Sequence, residues 1–460
     1  MLDPDRRCAV HDDPPSVGKP AGDDKVSEAP LGMIARGLAA FRGRRVLMLQ
    51  GPIGPFFTRL ARDLRAAGAI VFKVDFNGGD RLFSRSRDFD ARISYRGRGS
   101  DWPAAFEGIL DRTRADTILL FGDCRPIHVP AIEIAKRRKI EVGVFEEGYL
   151  RPDHITIERD GVNDHSPLPK EPGFYGRSLD AAQPASRPVG SAFLHTALWG
   201  ALYYAAASAA RPFYPHYWHH RPLGVGEARF WILSLWRKLR YRVAEREIER
   251  LFVGETPSPF YLVPLQTCGD AQVRVHSPFG TVPRFIEHVM RSFAAHAPAD
   301  ALLAIKHHPL DRGFTDHRKL ILALSHELGL LGRCHYIHDQ HLPTLLRRTL
   351  GVVTINSTVG LSAIGEGVPV ATCGHAIYDI DGLVYQGSLD DFWRDAPASC
   401  PDLELWHAFK AFMLAHTQFN GNFYRRLPGT GNASGVVWPG PNAEAPVAAP
   451  MDLSGTGLAR

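Results

Sequence analysis

The sequence predicts an α/β chain made of two Rossmann-like units with a helical, aromatic insertion between them and a closing helix near the C-terminal end. Three observations predict this. Short apolar runs alternate with amphipathic segments in two separate stretches, the composition between those stretches changes abruptly, and glycine-bearing polar motifs fall at the ends of the apolar runs. The chain is long enough for such a plan: 460 residues, 45% apolar and 22% charged, is a globular mix of two to three domains and excludes a fibrous or wholly disordered chain. A net charge of +5, from 54 basic and 49 acidic residues, is too small for a dedicated nucleic-acid binder. It tolerates an anionic ligand or an anionic membrane surface. Six widely spaced cysteines without a CxxC pair indicate neither a structural zinc site nor a disulfide framework, and a reducing cytoplasm fits them.

Residues 1–43 carry Asp, Pro and Gly where a signal peptide would be apolar, and they are expected to form a disordered tail. From Arg44 the runs RRVLMLQG, PFFTRLARDLRAAG and AIVFKVDFNGGD give strand, helix and strand. A second cycle follows, with DWPAAFEGILDRTRA, DTILLFGD, PIHVPAIEIAKRRK and IEVGVFEEG as helix, strand, helix and strand. Residues 44–180 therefore form the first unit. Residues 181–257 are the insertion, rich in Ala, Trp, Tyr and His. Its stretch 192–210 is long and alanine-rich, its RPFYPHYWHHRPL interleaves aromatics with basic residues as at bilayer interfaces, and a basic helix WRKLRYRVAEREIERLF closes it. The alternation returns at PFYLVPLQ and continues through ALLAIKHHP, CHYIHD, GVVTINS and VPVATCG, so 258–400 form the second unit. LELWHAFKAFMLAHTQFNGNFY, within 401–426, is expected to be one long closing helix, and 427–460 a Pro, Gly, Ala and Ser-rich disordered tail. Two such units facing a cleft describe a GT-B-like arrangement, and the pattern alone also permits other double-Rossmann enzymes.

In open α/β sheets ligands collect at the carboxyl ends of strands. In the first unit those ends carry Gln50 and Gly51, then Asn77, Gly78 and Asp80, then Asp123 and Arg125, and finally the paired acids Glu146 and Glu147, followed by Arg151. Adjacent carboxylates raise each other's proton affinity, which suits acid–base or nucleophilic chemistry. In the second unit the strand ends carry Lys306, His308 and Pro309, suited to a phosphate, and Ser357 and Thr358 before a helix, with Glu366 one helix later. Each motif also has a structural alternative: a solvated turn, a backbone-satisfied histidine, an N-cap, or glycines required only by a turn. GxGxxG, Walker and HExxH patterns do not occur.

Taken together, LQGPIGPFF, FNGGD, FEEGYLRP, PLQ followed by GD (Gln266 and Asp270), KHHP, NSTVGLSAIGEGVPV and QFNGNFY resemble the capsule polysaccharide biosynthesis β-Kdo glycosyltransferase family (KpsS-type, related to KpsC) over residues 44–426. The resemblance implies a retaining transferase that uses CMP-Kdo as donor, with no metal or other cofactor, and a phosphatidylglycerol-type lipid as acceptor. It also implies a peripheral place on the cytoplasmic face of the inner membrane, with other capsule assembly or export proteins as partners, and no nucleic acid. A single copy of the motif set favours the member that places the first Kdo on the lipid. A further resemblance to bacterial sialyltransferases puts the catalytic carboxylate at Glu146 or Glu147 and the CMP-holding groups at His308, Pro309, Ser357 and Thr358. Related Kdo transferases often carry Asp where this chain has Glu147, which leaves open which acid does the chemistry. Asp123 or Asp80 would serve the acceptor as acid or base. Gln266, Asp270, Lys306 and Glu366 complete the donor side, and Gln50, Gly51, Asn77, Gly78, Arg125 and Arg151 form the acceptor side. A non-catalytic membrane adaptor of the export machinery and a GT-B enzyme using a UDP-sugar are the alternatives.

Overall fold

The computed structural model describes residues 37–176, 186–217 and 227–439, so the expected tails at 1–36 and 440–460, and the WHHRPL end of the aromatic motif, lie outside the described residues. Among the described residues, twelve strands form two sheets. The first six are β1 (Arg45–Met48), β2 (Ile70–Asp75), β3 (Ala91–Ser94), β4 (Thr117–Phe121), β5 (Glu141–Glu147) and β6 (His154–Arg159). The next five are β7 (Phe260–Pro264), β8 (Leu302–Lys306), β9 (Cys334–Ile337), β10 (Gly351–Thr354) and β11 (Val370–Thr372), and β12 (Gln418–Asn420) is the last.

The first sheet runs β12-β6-β5-β4-β1-β2-β3, parallel from β3 to β5, with β6 antiparallel to β5 and β12, at the edge, antiparallel to β6. The second runs β11-β10-β7-β8-β9 and is parallel throughout. Each half thus has a point where the strand order reverses, between β1 and β4 and between β7 and β10, and the loops after those strands face a common crevice. Strands such as Val46–Met48, Ile118–Leu120 and Phe260–Val263 are buried on both faces because helices cover both, which explains their unbroken apolar runs. Helix Phe56–Ala66 shows how those covers arise: Phe56, Phe57, Leu60, Ala61 and Leu64 form one buried stripe, and the chain turns out of the helix at Gly68, φ +95°. A single hydrophobic cluster joins the halves, with Tyr149, Leu168 and Tyr175 from the first packed among Leu361, Tyr378, Trp406 and Phe409.

Several expectations are corrected. Residues 37–43 are built in, with Phe41 buried in the core of the first sheet. The closing helix spans only Leu403–His416; the chain then pairs with β6 as β12, register Phe419↔Ile155. Gln418 anchors that strand, its Oε1 accepting from the Tyr149 amide at 2.8 Å and its Nε2 donating to Thr156 Oγ1 at 2.9 Å. The segment 427–439 is likewise part of the first domain: Val436 and Trp438 are buried there, and the amides of Ala433 and Ser434 donate to Asp63 at 2.6 and 2.7 Å. Its Gly, Ala and Ser content suggests a tail, but two apolar anchors and a buried acceptor offset the ordering entropy.

The insertion splits between the halves. Helix Phe193–Ala209 lies on the first domain, and helices Glu227–Ala244 and Arg246–Val253 lead to the second. There Tyr241 stacks on His338 with 3.7 Å between ring centroids, and the buried Glu245 accepts from His338 Nδ1 at 2.6 Å. Among the described residues no helix is long and apolar enough to cross a membrane.

Candidate functional site

Two adjoining cavities open between the domains. One, of about 570 Å³, is lined from the first sheet by Gln50, Asp123, Arg125, Glu146 and Glu147 and from the second by Gln266, Asp270 and Asn356. The other, of about 890 Å³, is lined by Lys306, Pro309, Lys238 and Phe193 among others. Arg151, His308, Ser357 and Thr358 line both, at the place where the two cavities meet.

Both acids at the end of β5 reach the smaller cavity. The strand continues through them, so Glu147 shares a face with the buried Phe145 and Glu146 a face with Val144. Glu147 is fixed from outside the sheet: the Tyr424 hydroxyl, brought back by the chain after β12, donates to its Oε1 at 2.9 Å. Burial holds that phenol well above its ordinary pKa, so it stays a donor. Glu146 Oε1 accepts from the Glu147 amide at 2.9 Å. Desolvation by the cleft walls pushes its carboxyl up to about 7, with the Glu147 and Asp270 charges adding to the rise and that amide and Arg125 opposing it. The pair therefore splits into one carboxylate held by a phenol and one group poised to gain or lose a proton near neutrality.

On the second-domain side, His308 Nδ1 accepts from the Leu310 amide at 3.2 Å, and burial lowers its pKa to about 4. The neutral ring thus carries its proton on Nε2 as a donor. Ser357 Oγ accepts from the Val359 amide at 3.3 Å, so it caps the following turn as well as lining the cavities; Thr358 makes no such cap. Gln266 Nε2 donates to Asn356 Oδ1 at 2.9 Å, while its buried Oε1 has no hydrogen-bond partner among the described residues. A buried acceptor left open in a cleft wall suits a ligand N–H or O–H. Asp270 is held above its ordinary range by desolvation.

Other expected site residues lie elsewhere or have other work. Asp80 lines neither interdomain cavity. Its carboxylate is buried, accepting from Gln50 Nε2 at 3.2 Å, the Tyr203 hydroxyl at 3.0 Å and the Phe76 amide at 3.0 Å. Asn77 caps the short helix Gly78–Phe83 through the Asp80 amide and donates to Tyr203 at 2.8 Å. Gly78 is where the backbone of Ala206 comes too close for a Cβ, and Gly79 lies under the Tyr203 ring. The FNGGD motif is thus a seat for helix Phe193–Ala209. Gly51 makes a similar close approach to Phe57. Glu366 is exposed at the far end of helix Val359–Gly365, away from both cavities. Lys306 lines the larger cavity, yet its ammonium donates to the His338 carbonyl at 3.0 Å. Asp123 is engaged by the Val162 amide and His165. Arg125 is held by Gln50 Oε1 at 2.9 Å, and Arg151 by the Gly148 carbonyl at 3.1 Å. Asn356, which opens the NSTVG motif, lines the smaller cavity, whereas Tyr424 was not among the expected site residues, although the motif QFNGNFY contains it.

Comparison with known proteins agrees with the sequence motifs. The family described as "Capsule polysaccharide biosynthesis protein" matches residues 116–424. The Escherichia coli capsule polysaccharide export protein KpsS is 41% identical over 386 residues, 83% of this chain and 97% of that protein. The capsule polysaccharide modification protein LipB of Neisseria meningitidis serogroup A is 39% identical over 388 residues, 83% of this chain and 92% of that protein. Among solved structures, the β-Kdo 2,4 transferase KpsC of Thermosulfurimonas dismutans aligns over 82% of this chain and 93% of its own at 12% identity, with a TM-score of 0.36. On its sequence relatives, the chain belongs to the capsule polysaccharide biosynthesis protein family.

Proposed function

We propose that the protein is a retaining glycosyltransferase that moves Kdo from CMP-Kdo onto a phosphatidylglycerol-type lipid at a membrane surface. The observation that carries this reading is the division of labour between Glu146 and Glu147 in a cleft whose opposite wall holds neutral donors and an open acceptor. The Glu147 carboxylate attacks the anomeric carbon while the bond to the CMP phosphate breaks, its electron pair leaving with the phosphate. His308 Nε2–H and the Ser357 and Thr358 hydroxyls meet the charge that grows on the departing phosphate, and Arg151 lies beside them. Arg125 faces the carboxylate of the sugar. In the second half, Glu146 takes the proton of the acceptor hydroxyl as its oxygen displaces Glu147 from the anomeric carbon. Two inversions give net retention.

A lipid acceptor is supported by the insertion. Leu194, Leu198 and Leu202, spaced four apart on helix Phe193–Ala209, are 77%, 51% and 41% exposed. Trp236, Leu239 and Val243 make a second exposed stripe. Phe193, on the first of these helices, and Lys238, on the second, line the larger cavity. Such a surface suits peripheral binding. Not every basic residue of the insertion is available to anionic lipid: Arg237 donates to the Arg312 carbonyl at 2.7 Å and so docks its helix on the second domain.

The test combines CMP-Kdo, generated in place, with a fluorescent lysophosphatidylglycerol and reads product mass. One added Kdo supports the proposal. Turnover of UDP-sugars only, or tighter binding of UMP than of CMP, rejects it.

A further inference from the structure

Four metal-binding side chains from three loops converge beside the smaller cavity: Asp123 and Cys124 after β4, His165 after β6, and His276 from the second domain. Their donor atoms all lie within 4.8 Å of one another. Cys124 Sγ is 3.0 Å from His276 Nε2 and 3.2 Å from Asp123 Oδ1, and Asp123 Oδ2 is 3.0 Å from His165 Nδ1. At the usual bond lengths to zinc, the edges of a tetrahedron of N, O and S donors are about 3.3 to 3.7 Å. The cluster straddles that size, so side-chain movements of a few tenths of an ångström to about one ångström would close it round an ion. Beyond the donors, the other nitrogen of His276, Nδ1, lies 3.4 Å from Asp164 Oδ2, the carboxylate-to-imidazole relation that fixes the tautomer of metal-bound histidines. Asp123 and His276 are buried, Cys124 is half-buried, and His165 is exposed, leaving a path for entry.

We infer that Asp123, Cys124, His165 and His276 form a divalent transition-metal site, best suited to Zn²⁺, that clasps the second domain to the strand-end loops of the first. One thiolate, two imidazoles and one carboxylate are a borderline-soft set that prefers zinc to magnesium or calcium. Binding transfers the Cys124 thiol proton to solvent as the S–Zn bond forms, with no change of oxidation state. The site departs from the metal-free expectation and was invisible to spacing rules, because only Asp123 and Cys124 are neighbours in sequence. A second group, Cys268, Asp311 and His317, offers three donors only.

The experiment uses the full chain, stripped with a chelator and titrated first with Co²⁺ alone and then with Zn²⁺. One equivalent of Co²⁺ should bind with a thiolate-to-cobalt charge-transfer band and intense tetrahedral d–d bands, and Zn²⁺ should displace it. Cys124→Ser should abolish the charge-transfer band, and Asp164→Ala should weaken Zn²⁺ binding about 10- to 100-fold. Cys268→Ala should change neither. Failure of the wild type to bind Co²⁺ or Zn²⁺, or a charge-transfer band lost in Cys268→Ala and kept in Cys124→Ser, overturns the site in favour of a plain hydrogen-bonded chain. Should Cys124→Ser not fold, zinc-edge absorption of the loaded wild type decides: one sulfur and three N/O neighbours support the site, and an all-N/O shell overturns it.

Discussion

The end of β5 and the end of β2 lie on the same edge of the same sheet, and each carries acids beside glycine, yet they do different things. At β5, Glu146 and Glu147 open onto the interdomain cleft. At β2, the loop with Asn77, Gly78 and Asp80 is sealed by helix Phe193–Ala209, and Tyr203 takes a bond from Asn77 and gives one to Asp80. A strand end makes an acid available to chemistry, but whatever covers that end decides whether the acid meets ligand or holds up a neighbour. The covering helix comes from the insertion, far along the chain, so local motifs could not distinguish the two cases.

The largest effect should come from Glu147→Gln. Transfer should fall below detection while CMP affinity stays within a few-fold, since the loss is confined to the transition state. Calorimetric titration with CMP alongside the transfer assay checks both halves. Glu146→Gln should slow the second half-reaction by about 10²- to 10⁴-fold, the usual contribution of a positioned base. The wild-type rate should rise with pH through about 7, as Glu146 ionises, and the variant should lose that limb. The same group acts oppositely on stability. Its folded pKa lies above the unfolded value of 4.5, so its contribution is complete below 4.5 and is lost as pH rises through about 7. A pH series of denaturant midpoints for wild type and Glu146→Gln reads that difference.

His308→Ala should weaken CMP binding by about 1.5 to 3 kcal/mol, the worth of a hydrogen bond to a charged group. Gly78→Ala sharpens the contrast between the two strand ends from the structural side. Its Cβ meets the backbone of Ala206, so overpacking should cost about 1 to 3 kcal/mol of stability without a specific loss of CMP affinity. Thermal melts monitored with and without CMP separate these outcomes. The smallest effect is on membrane binding. Replacing Leu194, Leu198 and Leu202 together by Ser should reduce co-sedimentation with anionic vesicles and leave transfer to a short-chain soluble acceptor unchanged.

The doubled pattern of apolar runs made both parallel sheets legible, because strands buried on both faces must be continuously apolar. Strands β3, β6 and β12 were not anticipated: they are short or half-polar, and β12 continues a helix in sequence, so pairing with β6 and not local periodicity defines it. Within the site, Glu146, Glu147, His308 and Ser357 were legible as polar groups at strand ends. Tyr424 was not, because its role depends on the chain crossing back to the first domain after residue 416. Glu366 was misplaced by the opposite error. A carboxylate one helix on from a ligand loop lies a whole helix length away from it.

In the proposed reaction the open strand end, and not the sealed one, does the chemistry. Transfer rates of folded Glu147→Gln and Asp80→Asn, measured side by side with CMP-Kdo and a lysophosphatidylglycerol acceptor, test it most directly. Glu147→Gln should make no product, and Asp80→Asn should turn over within about tenfold of wild type at a lowered melting temperature, in line with the cost of disturbing a buried hydrogen-bond network. Full activity in both Glu146→Gln and Glu147→Gln, or an Asp80→Asn protein of wild-type stability that makes no product, would contradict it.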